Sequence, residues 1–451
     1  MTRVVKLKKG LTINLKGKAE KIVVKAEPSE RYAVKPTDFH GVMPKLLVKI
    51  GDAVKIGDGL FFDKNRPNIK ITSPTSGKVI DIVRGERRKI LEIIIESDNK
   101  EEYNYYKPSD PEAISRQDII DRMLESGVWA TMKQRPFNII ANPNDIPKAI
   151  VISAFDTAPL APDYDFIMQD NYDHFRVGLL ALQKLTDGVV HLNVNGSYPP
   201  ANIFAKAPVV QINKFTGKHP VGNPGIQIHH LDPINKGEIA WVVNPQHVLT
   251  IGRLFLEGRY DPSKTIALAG SEVVKPKYYK TTYGASIKNM VAGNIKKGNK
   301  PRYISGNVLT GSKINEDGYI GFYDDLVTVI PEGDHYEMFG WATPGFGKFS
   351  QSRSFWSWLT PNKEYKMDTN FHGGPRALMI TGKFEQVFPM DIFPMQLIKA
   401  IIVEDIDLME KLGIYEVAEE DFALCEFVDT SKTEIQEIIR NGLDLMVKEM
   451  S

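Results

Sequence analysis

Lys49-Ile50-Gly51-Asp52-Ala53-Val54-Lys55-Ile56-Gly57-Asp58-Gly59-Leu60 carries one tetrad, Lys-Ile-Gly-Asp, twice in close succession. Gly-Asp pairs favour tight turns, because glycine tolerates positive φ and aspartate bonds back to the backbone. Downstream, Ile71-Thr72-Ser73-Pro74-Thr75-Ser76-Gly77-Lys78-Val79 reads again as strand, turn, strand. The short runs Lys21–Lys25, Lys45–Ile50 and Ile90–Ile95 sit between turn residues, so residues 1–100 are expected to form one β-domain.

Its pattern resembles a biotinyl/lipoyl-like barrel-sandwich domain, on Gly51-Asp52-Ala53-Val54, Gly57-Asp58-Gly59-Leu60 and Ser73 to Val79. A carrier of that type presents a lysine at a hairpin tip. Here the tip reads Phe62-Asp63-Lys64-Asn65-Arg66-Pro67. Arg66 stands near the lysine position and cannot be acylated, and Lys64 has the wrong neighbours. An unmodified structural barrel is the expectation, with a biotinyl or lipoyl carrier as the alternative.

The pattern then changes. Ser115 and Asp118 form a capping-box pair ahead of Ile119, Ile120, Met123 and Leu124, and Gly127 suits the stop. Ala149–Phe155, Val189–Val194, Pro208–Ile212 and Ile239–Val243 read as strands. Asp170–Thr186 reads as a helix with Phe175, Leu179 and Leu182 on one face, and Asn244-Pro245 opens another that ends near Gly258. Strands alternating with helices over 101–258 predict a Rossmann-like α/β domain. Residues 259–330 are turn-rich, with strands expected at Ile266–Ala269, Tyr303–Val308 and Leu326–Val329 and a short helix over Thr281–Asn289. That suits a small α+β module. Residues 331–451 open with a Gly- and aromatic-rich segment and turn helical past 390, the last helix starting at Ser431 with Glu434 as its capping partner.

Composition excludes several function classes. A formal net charge of +1, with both signs mixed, offers no field to recruit nucleic acid. No stretch approaches the roughly 18 apolar residues of a membrane span, and Met1 to Lys8 lack a signal-like core. Such a chain is expected to stay in the cytoplasm unless a partner holds it at a membrane. Its single cysteine, Cys425, permits neither an internal disulfide nor a thiolate cluster.

Dinucleotide binding wants glycines between a strand and a helix, so that backbone N–H groups meet the pyrophosphate. The loop after Phe155 reads Asp156-Thr157-Ala158-Pro159-Leu160-Ala161-Pro162, with two prolines and no glycine. Gly345-Phe346-Gly347 follows no clear strand. His219, His229, His230 and His247 cluster in sequence near Asp232, but lack the accompanying cysteines and carboxylates that zinc prefers. Bonds to backbone or solvent are expected of them. Cys425 is more informative. Ferredoxin-type segments bind clusters with Cys-x2-Cys-x2-Cys-x3-Cys-Pro. With Cys425 as third ligand, the other positions are Glu419, Phe422 and Asp429. Phenylalanine cannot ligate iron, so a cluster descended from such a segment is lost, and no metal is expected.

Several longer stretches, in order along nearly the whole chain, resemble the A subunits of the bacterial sodium-translocating NADH:quinone oxidoreductase. They are Leu7-Lys8-Lys9-Gly10-Leu11, Phe61 to Lys64, Ser126-Gly127-Val128-Trp129, Arg135-Pro136-Phe137, Asp156 to Ala161, Gly252 to Leu256, Ser305 to Gly311, Phe339 to Gly345 and Glu420 to Cys425. The family is similar in architecture to the flavin- and NADH-binding subunit of respiratory complex I and to a subunit of the Rnf complex. The resemblance implies a multidomain α/β chain: a barrel-sandwich domain, a Rossmann-like domain, a β-grasp domain of the soluble-ligand-binding (SLBB) type and a helical C-terminal part. It implies a peripheral subunit on the cytoplasmic face of the inner membrane, docked on integral-membrane and flavin-bearing subunits. Flavins and the iron–sulfur centre belong to those partners, and this chain holds none. The family is also linked to quinone. Phe39, His40 and Met43, with Trp129, Arg135 and Phe137, match regions proposed to approach it, the aromatics and Met43 as apolar wall and His40 or Arg135 as donor. The alternative class is a stand-alone flavin- or NADH-using oxidoreductase.

Overall fold

The computed structural model describes residues 2–335, 337, 339–340 and 343–450. Trp341 and Ala342, part of one of the family stretches, lie outside the described residues. Both Gly-Asp turns form. Asp52 Oδ2 accepts from Lys49 N at 3.0 Å and Asp58 Oδ2 from Lys55 N at 2.7 Å, with Gly51 and Gly57 at φ +100° and +94°. Around them lie a four-stranded antiparallel sheet, in the order Arg31–Val34, Ile90–Ser97, Gly77–Arg84, Ala53–Val54, and a three-stranded one of Pro44–Leu46, Gly59–Asp63 and Arg66–Thr72. Leu60, Phe61, Ile69, Ile71, Val79, Ile93 and Ile95 are at most 1% exposed and share one core. The strand expected over Lys45–Ile50 stops at Leu46.

Two N-terminal strands pair outside these two small sheets. Val4–Lys6 pairs in parallel with Gln211–Thr216, and Glu20–Lys25 pairs in parallel with Lys277–Thr282. The first 25 residues thus stitch two downstream sheets together.

The larger of these sheets has seven strands, in the order Val4–Lys6, Gln211–Thr216, Val189–Asn195, Ala149–Ser153, Ala240–Val243, Met132–Arg135, Ile139–Ile140. The first five are parallel and the last two antiparallel to their neighbours. The strand expected at Pro208–Ile212 begins later, at Gln211. Pro208 has no N–H to donate and Val209 sits at φ +54°, which no strand accommodates. Helices Tyr172–Gln183 and Pro245–Glu257 pack on each other through glycines: a Cβ at Gly252 would stand 1.8 Å from the His174 carbonyl oxygen. The capping box at Ser115 and Asp118 and the Asn244 cap form as expected, and Gly258 ends its helix in the left-handed region at φ +69°.

The six-stranded sheet runs Ser312–Ile314, Pro301–Ser305, Leu326–Pro331, Ser263–Ala269, Lys277–Thr282, Glu20–Lys25. The helix expected over Thr281–Asn289 does not form there. Tyr278, Tyr279 and Thr281 suit an extended chain, Gly284 turns at φ +70°, and helix begins only at Lys288. The strand expected to reach Val308 ends at Ser305, because Gly306 turns the chain at φ +96°.

Helices Pro394–Ile402, Ile406–Lys411, Ala423–Val428 and Ile435–Met450 pack at the C-terminal end. Leu397, Ile398, Phe422, Cys425, Ile435, Ile439, Leu443 and Met446 are fully buried and join the core that also contains the barrel and the seven-stranded sheet. Ser431 does not start the last helix. Its hydroxyl donates to the Ala377 carbonyl oxygen, and Glu426 Oε2 accepts from Gln436 N at the true first turn. Among the described residues no helix is long and apolar enough to cross a membrane.

Candidate functional site

In an open α/β sheet, ligands bind beyond the carboxyl ends of the strands where strand order reverses. Here that point lies between Ala149–Ser153 and Ala240–Val243. Tyr164 and Asn244 stand there, and Lys264, in the strand Ser263–Ala269, and Asp325, just before Leu326–Pro331, reach in. Asp325 Oδ2 accepts from Tyr164 Oη at 2.7 Å and from Asn244 Nδ2 at 2.8 Å, while Lys264 Nζ pairs with Oδ1 at 2.8 Å. Burial alone would raise the Asp325 carboxyl pKa, but Lys264, His247 and the Tyr164 hydroxyl hold it below the usual range. Burial and then Asp325 push the Tyr164 hydroxyl well up, so it stays a donor. Asn244 also caps the helix Pro245–Glu257, its Oδ1 accepting from Gln246 N, so the Asp325 carboxylate is held by the residue that closes that helix's N-terminus. Beside it lies a cavity of about 10 Å³, lined in part by His247, Thr131 and Phe322, with room for one water at most.

The hairpin tip is also occupied. Arg66 Nε pairs with the fully buried Asp63 at 2.9 Å, and Arg66 donates to the Ile140 carbonyl oxygen at 2.8 Å. Where a carrier would present its lysine, this barrel docks on the seven-stranded sheet.

A second polar junction joins the seven-stranded sheet to the C-terminal helices and the barrel. Arg135 is 2% exposed and donates to Glu420 Oε1 at 2.5 Å, with Asp421 Oδ2 at 3.5 Å. Glu419 Oε1 accepts from Asn138 Nδ2 at 3.0 Å and lies 3.4 Å from His40 Nε2, while Arg440 stands 3.5 Å from Oε2. Arg440 also donates to the Phe137 carbonyl oxygen at 2.8 Å. Phe137 sits at φ +80° with its ring edge-on to Tyr415. Burial pushes the Asp421 carboxyl up to about 7, with Arg135 pulling the other way and Glu420 adding to the rise. Burial works on Glu419 too, yet Arg440, His40 and Arg135 hold it below the usual range. Burial, opposed by Glu419, lowers the His40 pKa and keeps the imidazole neutral near pH 7. Arg135 Nε, Arg135 NH1 and Glu419 Oε2 have no hydrogen-bond partner among the described residues.

The six residues matched to quinone-approaching regions divide in two. His40, 42% exposed, stands at the edge of this second junction, and Met43, 50% exposed, follows it in the chain with its N–H bonded to Asp63 Oδ1. The other four are buried and spent on packing or pairing. Trp129 has no exposed surface, donates from Nε1 to the Ala141 carbonyl oxygen at 2.7 Å and meets Trp241 edge-on. Phe39 packs among Phe61, Phe322 and Tyr323. Phe137 and Arg135 are buried as described. The four positions of the cluster pattern also part company. Phe422 stacks on Phe388, Cys425 is fully buried with its thiol pKa driven well up by burial, and Asp429 accepts from Ser431 N and Thr433 N. Only Glu419 enters the junction. Among the described residues no group of three or more His, Cys, Asp or Glu is arranged to hold a metal ion. His229 meets Glu416 at 2.7 Å, His230 the Pro389 carbonyl oxygen and His219 the Thr157 hydroxyl, so the histidines disperse.

Sequence reasoning missed Asn138, Arg440, Lys264 and Asp325. It reads Asn244 only as a helix cap and Glu420 only as part of a family stretch. Arg135 and Glu420 are 285 positions apart, and no local pattern announces such a pair.

Three family descriptions match in order: the NqrA N-terminal barrel-sandwich hybrid domain over residues 5–98, the NqrA second alpha/beta domain over 114–260, and the NQRA C-terminal domain (SLBB) over 265–316. The A subunit of the Na(+)-translocating NADH-quinone reductase of Rhodopirellula baltica is 38% identical over 99% of this chain and 98% of that protein. Its counterpart from Marinomonas sp. is 36% identical over 98% of this chain and 99% of that protein. A solved NAD+-reducing [NiFe]-hydrogenase is 12% identical with a TM-score of 0.40, covering 76% of this chain and 64% of that one. On the full-length identities and the three ordered domains, the chain belongs to the NqrA family, the A subunits of the Na(+)-translocating NADH-quinone reductase.

Proposed function

We propose that this chain is a peripheral, cytoplasmic-face subunit of a sodium-pumping NADH:quinone oxidoreductase. It docks on the membrane and flavin-bearing subunits, carries no redox centre of its own and contributes an edge to the quinone site. Flavins and iron–sulfur reside in its partners. Its four parts are 1–100, a Rossmann-like 101–258, 259–330 and a helical 331–451, locked together by strand exchange and the two polar junctions.

The observation that carries the quinone reading is convergence. The segments holding His40–Met43 and Arg135–Phe137 meet the segment Glu419–Asp421 at one junction. Its surface presents a neutral imidazole, with an exposed thioether three residues along the chain. A quinone oxygen takes a hydrogen bond from a neutral donor, and an isoprenoid tail takes apolar wall. Trp129 and Arg135 support that edge from behind without touching the ring.

The test is the assembled pump with His40→Ala and with Met43→Ser, assayed with a short-chain quinone and, separately, with an artificial acceptor for NADH oxidation. The expected result is a quinone KM raised about 3- to 10-fold, the loss of one modest contact, with artificial-acceptor activity unchanged. An unchanged quinone KM in both variants removes the quinone role and leaves the docking role standing.

A further inference from the structure

Within the segment 343–383, the turn Trp356–Leu359 inverts the usual order of inside and outside. In the 3-10 turn Trp356–Leu359, Ser357 is 3% exposed while Trp356, Trp358 and Leu359 are 58%, 50% and 57% exposed. The inversion is built in: Ser357 Oγ donates to the Lys348 carbonyl oxygen at 2.5 Å, and Trp356 N donates to that of Pro344 at 2.9 Å. Phe346, 57% exposed, meets Trp356 edge-on with centroids 5.7 Å apart. Phe371 and Ile380, later in the segment, are 56% and 69% exposed. Apolar side chains clustered at a surface in this way mark a face that something covers.

The charges of the segment say what covers it. It holds six basic residues, Lys348, Arg353, Lys363, Lys366, Arg376 and Lys383, against two acidic ones, Glu364 and Asp368, a net +4 in a chain whose formal net charge is +1. The remaining residues therefore sum to −3. Lys348 pairs with Glu337 and Lys366 with Glu272. Arg353, Lys363, Arg376 and Lys383 face no carboxylate among the described residues. Arg353 lies over the Trp358 ring at 6.0 Å, and Lys363 donates to the Phe346 carbonyl oxygen, so cations interleave with the aromatics. Tryptophan with an apolar body and a polar N–H prefers the headgroup level of a bilayer, and neighbouring lysine and arginine favour anionic lipid there.

We propose that this face is a lipid-contacting surface: Phe346, Trp356, Trp358 and Leu359 enter the interfacial region of an anionic bilayer, and Arg353 and Lys363 meet its headgroups. The inference goes beyond the subunit role and does not rest on it, because the chain is tested without its partners. The full-length chain is sedimented with phosphatidylcholine vesicles and with vesicles containing phosphatidylglycerol. The expected result is saturable binding to the anionic vesicles, weakened by salt, with a blue shift of tryptophan emission. Trp129 and Trp241 have no exposed surface, so that shift arises elsewhere than in the core. Binding falls about 10-fold or more in Trp356→Ser/Trp358→Ser and about 5-fold in Arg353→Gln, whose exposed position leaves the fold intact. No binding to either vesicle overturns the proposal, as does equal binding to both that Arg353→Gln leaves unchanged. If the patch variants lose assembly with the membrane subunits while the wild-type chain ignores lipid, the face belongs to a protein partner and the proposal fails.

Discussion

The two polar junctions use similar residues to different ends. At the reversal of strand order, Lys264, Asp325, Tyr164 and Asn244 form a sealed network in which both Asp325 oxygens are bonded and the two charges are 7% exposed or less. At the second junction Arg135 faces three carboxylates, two of its nitrogens lack hydrogen bonds, and the network runs out to the half-exposed His40. A closed, fully paired network fixes geometry. An open, under-bonded one leaves capacity for something else to bind. The first junction fills a crevice where α/β sheets take ligands, so the chain's own side chains displace that use. The second keeps an edge open to the surface.

The largest effect that can break this contrast is at the sealed junction. Asp325→Ala leaves Lys264 buried and unpaired and strips two donors of their acceptor. A loss of about 3–5 kcal/mol in denaturant unfolding is expected. Asp325→Leu combined with Lys264→Met removes both charges and should recover most of that loss; failure to recover would show that the network does more than fix geometry.

Arg135→Met should cost less, about 2–3 kcal/mol, because Glu420 is one-third exposed and Asp421 can protonate. Its cost should also depend on pH. The Asp421 pKa is raised to about 7 in the fold, above its unfolded value. Between the unfolded value and about 7 the native state therefore binds the extra proton. Stability attributable to this group is present at low pH and is lost as pH rises towards and through 7. Asp421→Asn, which keeps an acceptor for Ala418 N, should flatten that fall between pH 5 and 8 in thermal unfolding curves. An unchanged slope would place the carboxyl's pKa elsewhere. The smallest effects are at the open edge. Met43→Ser, at a half-exposed position, should change unfolding stability by no more than about 0.5 kcal/mol, and only the quinone KM should move.

Legibility in the sequence followed range. The Gly-Asp turns, the capping box at Ser115 and the Asn244-Pro245…Gly258 helix were readable because each is settled within a dozen or so residues. The sheet memberships of Val4–Lys6 and Glu20–Lys25 were not, because their partners lie more than 200 residues on. The strand Lys277–Thr282, which takes the first two residues of the helix expected over Thr281–Asn289, was not legible because its extended form depends on Glu20–Lys25 and Ser263–Ala269 on either side. Glu419 was singled out as a relic of metal ligation and proved to matter as a carboxylate, held between His40, Asn138 and Arg440. Trp129, one of the aromatics that the resemblance offers as apolar wall, has no exposed surface. An aromatic that a sequence offers equally to a ligand or to a core is resolved only by what packs around it.

Hydrogen–deuterium exchange on the assembled pump, with and without a short-chain quinone, separates the open junction from the sealed one. Quinone should add protection over residues 39–43, 135–138 and 415–421, and none over 160–165 and 322–326. Protection confined to the second pair of segments, or unchanged exchange in all of them, would contradict a quinone edge at the open junction.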